Sequence, residues 1–240
     1  MKVLSYNWPR EYVQLNPGVV TEPWDMNSVG IVAVLPIQGT DEQKRVWRER
    51  GKIILHTVYA NPLLAADGAI LDAMLTASEG ECDGVSLDEI LLGTLVGGKF
   101  ERLRKALKQY RKRQPGKLIH VWIGNTFFSP VDFKTVNLLY RLCDMVSPEI
   151  YRSEEGRIDF ADWLKRYNIG RGKRAKTLIG ITTHTDIRWR KSDAGWLPNM
   201  QRQIAEIRRL KVGGVAMWAP MHLRNSDERR ALDAVLGGPE

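Results

Sequence analysis

The sequence predicts an α/β fold, a single (β/α)8 TIM barrel spanning residues 1–240, on three observations. Short runs rich in Val, Ile and Leu alternate with amphipathic helical stretches from one end of the chain to the other. There are eight such runs, and strict strand–helix alternation implies parallel strands that close on themselves. A chain of 240 residues also fits one such barrel, which takes about 250 residues.

The strand runs are Lys2–Asn7, Gly30–Leu35, Lys52–Tyr59, Asp83–Asp88, Leu118–Ile123, Asp144–Glu149, Thr177–Thr182 and Gly214–Trp218. Each is short and apolar enough to be covered on both sides. The first connection, Leu15 to Ser28, contains Pro17, Gly18 and Pro23 and leaves little room for a helix. Thr40 and Gln43 form a capping-box pattern opening a helix that ends at Gly51. Lys99 to Arg113 places Phe100, Leu103, Leu107 and Tyr110 on one stripe, and Pro115-Gly116 stops it. Met200, Ile204, Ile207 and Leu210 repeat the stripe, and Ser226 caps a last helix through Leu236. No linker, low-complexity tract or sequence repeat is visible.

Composition excludes several classes. No apolar run is long enough to cross a bilayer, so no membrane association is expected. Met1 to Trp8 enters a strand directly, without the apolar core of a secretory leader. The expected location is cytoplasmic, or outside by a non-classical route. Cys82 and Cys143 lie far apart and outside any C-x-x-C pattern, which predicts two reduced, buried thiols. The net charge of +8 comes from basic stretches at Lys44–Arg50, Lys99–Lys117, Lys165–Lys176 and Arg202–Lys211. All four read as helices or helix ends distributed around the ring, so nucleic acid is not the expected partner and an acidic polymer suits better. Lys105, Lys108, Arg111 and Lys112 are expected on a solvent face, dispensable for the main function.

Strand parity identifies the inward side chains, because the helix-facing set must be apolar. Ile119, Val121 and Ile123 face helices, leaving His120 and Trp122 inside. Val85 and Leu87 leave Ser86 and Asp88 inside, and Val146 leaves Met145, Ser147 and Glu149. Ile179 and Ile181 leave Thr182 and then His184, while Val215 and Met217 leave Ala216 and Trp218. The polar inward residues fall late in strands 4, 6 and 7, so they converge on the C-terminal mouth, where barrel enzymes carry their chemistry.

Two motifs carry a resemblance. Asp83-Gly84-Val85-Ser86-Leu87-Asp88-Glu89 resembles the strand-4 signature of glycoside hydrolase barrels, and Gly213-Gly214-Val215-Ala216-Met217-Trp218 looks like strand 8 of chitinase-like family 18 enzymes. Met145 opens a comparable strand 6. Ser86 stands where that family has its middle aspartate and Ile90 where it has its catalytic glutamate, so its substrate-assisted mechanism does not carry over. The motif at Asp83, Gly84, Asp88 and Glu89 is similar to that of spherulin-4-like and polygalactosaminidase-like polysaccharide hydrolases. The resemblance implies a cofactor-independent glycoside hydrolase, because glycoside cleavage needs one carboxyl to protonate the leaving oxygen and a second as nucleophile or base.

The catalytic candidates are therefore Asp88, Glu89 and Glu149. Trp122, Tyr151, His184 and Trp218 are the substrate-binding candidates, with an oligo- or polysaccharide as the expected partner. Among the eight tryptophans, Trp47 and Trp163 read as helix packing. Each carboxylate has a plainer alternative. Asp88 can be a structural carboxylate bonded to loop amides, Asp186 a loop cap, and Glu89 points away from Asp88 unless the strand bulges. His56, His120 and His184 come from alternate strands, but they read as hydrogen-bonding groups in a polar mouth, with no metal and no cofactor expected. The polar, bulky Thr183–Arg190 replaces a Gly-rich phosphate loop and argues against phosphorylated substrates. The rival readings are a non-catalytic carbohydrate-binding barrel in a larger assembly and association with acidic surfaces through the basic helices.

Overall fold

The computed structural model of the protein describes residues 1–6, 26–36, 41–124, 133–150, 160–182, 193–218 and 226–238, without the side chains of 182, 193–195, 218 and 226. Eight parallel strands run β1 (Lys2–Tyr6), β2 (Ile31–Val34), β3 (Ile53–Tyr59), β4 (Gly84–Leu91), β5 (Leu118–Gly124), β6 (Met145–Pro148), β7 (Leu178–Thr182) and β8 (Gly214–Trp218). They form one sheet in the order β6-β5-β4-β3-β2-β1-β8-β7. Parallel bridges from Val146 to Thr177 and from Glu149 to Gly180 join its two edges, completing a (β/α)8 barrel.

Nine helices surround it among the described residues. They are α1 (Asp41–Glu49), α2 (Ala60–Leu63), α3 (Ala69–Ala77), α4 (Lys99–Arg113), α5 (Phe133–Leu142), α6 (Phe160–Arg166), α7 (Arg171–Arg174), α8 (Asp193–Arg209) and α9 (Ser226–Gly237). The stripes read from the sequence are buried at Leu103, Leu107 and Tyr110 on α4 and at Met200, Ile204 and Ile207 on α8, while Phe100 is half-buried. Most of the first connection and the Thr183–Arg190 loop lie outside the described residues.

Two apolar layers follow from strand parity. Val32, Ile54, Val85, Leu87, Ile119, Val121, Ile179 and Val215 pack between the strands and the helices. Leu4, Tyr6, Ala33, Leu55, Trp122, Met145 and Ala216 fill the inside of the ring. Among the described residues parity breaks once, in β4, which extends three residues past its expected end. Leu87 pairs with Val121 and Ile90 with Ile123, so Asp88 and Glu89 together oppose the single residue Trp122. This is a β-bulge, and Glu89 takes a left-handed φ of 57° to make it.

At the opposite end of the barrel, basic side chains clamp the connections that enter the strands. Lys52 donates to the Met26 and Val29 carbonyls at 2.9 and 2.6 Å. Lys117 donates to the Cys82 carbonyl at 2.6 Å, and Lys176 to Cys143 at 2.9 Å. Asp83 accepts the Ile54 N–H at 2.7 Å and pairs with Arg48, while Asp144 accepts the Ile119 N–H at 2.8 Å and pairs with Arg111. The Cys-Asp pairs at 82–83 and 143–144 thus occupy equivalent places in successive two-strand units, a geometric repeat the sequence did not reveal. Both cysteines are buried and free, and burial pushes the Cys143 thiol up to about 12.

Asp83, part of the hydrolase-like motif, stands at the entry of β4, as expected for the first residue of that run. The clamps correct one expectation. Arg111 does not lie on a free solvent face; its side chain is 28% exposed and binds Asp144 together with the Leu142 and Lys117 carbonyls. Arg111→Ala should lower the unfolding free energy by about 1–3 kcal/mol, because it strands partly buried acceptors. The exposed Lys112→Ala should stay within ~0.5 kcal/mol. Urea unfolding of the two variants side by side checks this, and equal losses would contradict it.

Candidate active site

Asp88 closes the regular part of β4 on the inward parity and is 9% exposed. Its Oδ2 accepts the Tyr6 hydroxyl at 2.8 Å across the ring, and its Oδ1 accepts the Glu89 N–H at 2.9 Å. Burial pushes its pKa up to about 6; the nearby Glu89 carboxylate adds to the rise, while the two hydrogen bonds oppose it. Tyr6 is held far above its usual pKa, by burial first and then by the Asp88 charge, so it remains a proton donor. The bulge supplies what strict alternation denied: Glu89 is exposed and close enough to Asp88 to act on its charge.

Glu149 follows β6 on the far side of β5. Its amide donates to the Ile123 carbonyl at 2.9 Å, and it bridges to Gly180. Its carboxylate lies over Gly124, where a Cβ would stand 3.2 Å from Oε2. Gly124 thereby leaves room for the acid to face the inside of the ring. Asp88 and Glu149 flank β5 from its two neighbours, both at the C-terminal end.

Beneath them lies a closed floor. Trp122 meets Tyr6 edge-on with centroids 6.0 Å apart, and His120 at 5.5 Å. Gly180 makes room for it, since a Cβ there would lie 2.9 Å from the indole Cζ3. Trp122 is 1% exposed, so the expectation that it offers an open face to a sugar is corrected: both faces are already packed. One layer lower, Ser86 bonds His120 Nδ1 at 2.8 Å and Ser147 bonds Nε2 at 2.7 Å. Full burial lowers the His120 pKa to about 3, so the ring is neutral, donating to one serine and accepting from the other.

The two described histidines, His56 and His120, do not meet in a polar mouth. His56 is on the opposite parity, in the helix layer, where its Nδ1 bonds the Ala77 carbonyl at 2.6 Å. Tyr151, His184 and Asp186 lie outside the described residues, as does the side chain of Trp218, whose backbone ends β8. Two residues at the site escaped the sequence reading. Tyr6 was missed because Ser5 interrupts the apolar outward set of β1. Tyr59, at the end of β3, is within hydrogen-bonding reach of Tyr6 and 39% exposed; only the alternation Leu55, Thr57, Tyr59 could have signalled it. No cluster of His, Cys, Asp and Glu suited to a metal occurs among the described residues.

Asp88 and His120 make opposite contributions to stability against pH. His120 takes its proton near 6.5 unfolded and near 3 folded. The unfolded chain therefore holds the extra proton between those values, and stability falls as pH falls. Asp88 titrates at 3.8 unfolded and about 6 folded, so the folded chain holds the extra proton and stability falls as pH rises. From about pH 4 to 6 the two offset each other. Asp88→Asn removes one of them. Its unfolding free energy should rise with pH in that window more steeply than the parent's, by about 1.4 kcal/mol per pH unit. Urea titrations at several pH values test this; parallel profiles would refute the assigned shift.

Several solved glycoside hydrolases superpose on this chain. A chitinase from Bacteroides thetaiotaomicron superposes with a TM-score of 0.70 at 14% identity, over 98% of this chain and 95% of that one. A chitinase variant from Cycas revoluta, solved in complex with (GlcNAc)4, gives 0.68 at 10% identity over 99% and 100%. The glycoside hydrolase domain of PelA from Pseudomonas aeruginosa gives 0.62 at 14% over 92% and 96%. No protein-family model matches the sequence, and neither does any curated protein sequence. What is shared at these identities is the fold, a (β/α)8 barrel.

Proposed function

We propose that the protein is a glycoside hydrolase that cleaves a polysaccharide with carboxylates at the mouth of the barrel and needs no cofactor. The observation that carries this reading is Asp88, a carboxyl held in a desolvated site at the end of β4 with its pKa pushed up to about 6. Such a group retains a proton close to neutral pH and can give it to a glycosidic oxygen. Glu149 across β5, or Glu89 on the bulge, supplies the second carboxylate as nucleophile or base. Tyr6 fixes the Asp88 carboxyl, and Trp122 packs under both. The exposed ring of Tyr59 joins Tyr151, His184 and Trp218 as sugar-contacting candidates. Because a neighbour in fold holds (GlcNAc)4, amino-sugar oligomers are the first substrates to assay.

The mechanism differs from that of the family 18 enzymes the motifs resemble. Ile90, at their glutamate position, is buried among the helix-facing side chains, because the bulge reverses parity after Asp88. Ser86, at the middle aspartate, is committed to His120. These departures also favour the second reading, a barrel that binds saccharide without cleaving it.

Turnover of a panel of oligosaccharides decides between the two. If the first reading holds, kcat/KM should fall above about pH 6 as Asp88 loses its proton, and Asp88→Asn should cost on the order of 10²-fold or more. Glu149→Gln should remove the acidic limb or nearly all of the rate. A double variant that binds and turns over like the parent would exclude these carboxylates; binding with no turnover in the parent would leave the second reading.

A further inference from the structure

The most basic helix among the described residues is α4, which carries eight Lys and Arg against Glu101 alone, a net +7. Elsewhere many cations are consumed by the fold, as Lys52, Lys117, Lys176 and Arg174 are by backbone carbonyls. On α4, Arg102 pairs with Asp67, Arg104 with Glu101 and Arg111 with Asp144. Lys105, Lys108 and Lys112 are exposed, and Lys108 and Lys112 have no ion pair among the described residues. The neighbouring α5 adds Lys134 and Arg141 and no acid.

Beside this face lies a cleft of about 550 Å3 between α3 and α4, lined by Lys105 and Lys108 and by the Arg102–Asp67 and Arg104–Glu101 pairs. That volume falls within the ~300–1,000 Å3 usual for ligand sites. It begins at Gly68 and Gly98, where α3 and α4 start, hence at the same end of the barrel as Asp88. Only the β3–α3 and β4–α4 connections separate it from the mouth, stitched together by Thr94 to Asn61 at 2.9 Å and Arg102 to the Leu64 carbonyl at 3.2 Å. Over that rim stand two of the exposed large apolar residues, Tyr59 and Val96, the latter 69% exposed.

We infer that this cleft binds an anionic polysaccharide whose chain continues from the mouth across the β3–β4 rim, a substrate class that rests on the hydrolase reading above. Lys105 and Lys108 meet carboxylates or sulfates spaced along the polymer, and charge-assisted contacts of this kind are short and strong. No aromatic side chain lines the cleft, so it lacks the stacking surface that single-stranded nucleic acid requires. Tyr59 supplies a ring at the mouth, where a sugar leaves the carboxylates.

Calorimetric titration of the full chain with polygalacturonate, with (GlcNAc)4 and with short duplex DNA tests this, using the parent, Asp88→Asn and the double variant Lys105→Glu/Lys108→Glu. Polygalacturonate should bind the parent and Asp88→Asn alike, with affinity that falls as salt screens the charges. The double variant should bind it about tenfold or more weakly, with an unchanged circular dichroism spectrum and melting temperature. The inference is overturned if polygalacturonate binds the double variant as well as the parent, does not bind the parent at all, or is displaced by DNA at equal charge. Failure of the hydrolase reading looks different: no oligosaccharide is turned over, while charge-dependent polygalacturonate binding persists.

Discussion

A closed ring of parallel strands leaves each strand residue two destinations, a layer of helices or a narrow interior. Both are sealed from water, so a polar side chain there is costly unless it finds a partner or sits where the ring opens. The helix-facing positions of β4, β5 and β7 are accordingly Val, Leu and Ile throughout. Inside, Ser86, His120 and Ser147 satisfy one another, and Asp88 is admitted one step higher, at the rim. The break in alternation among the described residues, the bulge at Asp88–Glu89, leaves Glu89 exposed beside the buried Asp88 and turns Ile90 back toward the helices.

The interior is therefore graded in polarity over a short distance. An apolar floor of Leu4, Leu55 and Ala216 gives way to the neutral hydroxyl–imidazole chain, then to Trp122, then to the carboxylates. Burial acts on both titrating groups, stripping the proton from His120 and keeping it on Asp88, because in each case the charged form is the one penalised. A histidine without charge and a carboxyl with a proton are what a dry barrel tolerates. The second is also what acid catalysis of glycoside cleavage uses.

Positive charge serves two separate ends in this molecule. At the end where connections enter the strands, lysines and arginines take up carbonyls left open by helix ends and turns. The Asp83 and Asp144 clamps repeat this arrangement in consecutive two-strand units. On α4 the same residue types face water beside a cleft. Composition alone cannot separate the two, since a lysine spent on carbonyls and a lysine left in solvent count equally in net charge.

The barrel, the inward parity of strands 4 to 8 and the convergence of Asp88 and Glu149 on the mouth were legible in the sequence, because periodicity and apolar patterning are local and covering a sheet on both sides permits few alternatives. Tyr6, the burial of Trp122, the outward turn of His56 and the clamping of Arg111 were not. Each depends on a partner far away in the chain: Asp88 lies 82 residues from Tyr6, and Asp144 lies 33 from Arg111. The bulge belongs with these. Sequence left open whether β4 bulges at Glu89, while the register between β4 and β5, set by packing on both faces, decided that it does. A pattern along the chain can say which face a residue prefers, but what it meets there is decided when the ring closes.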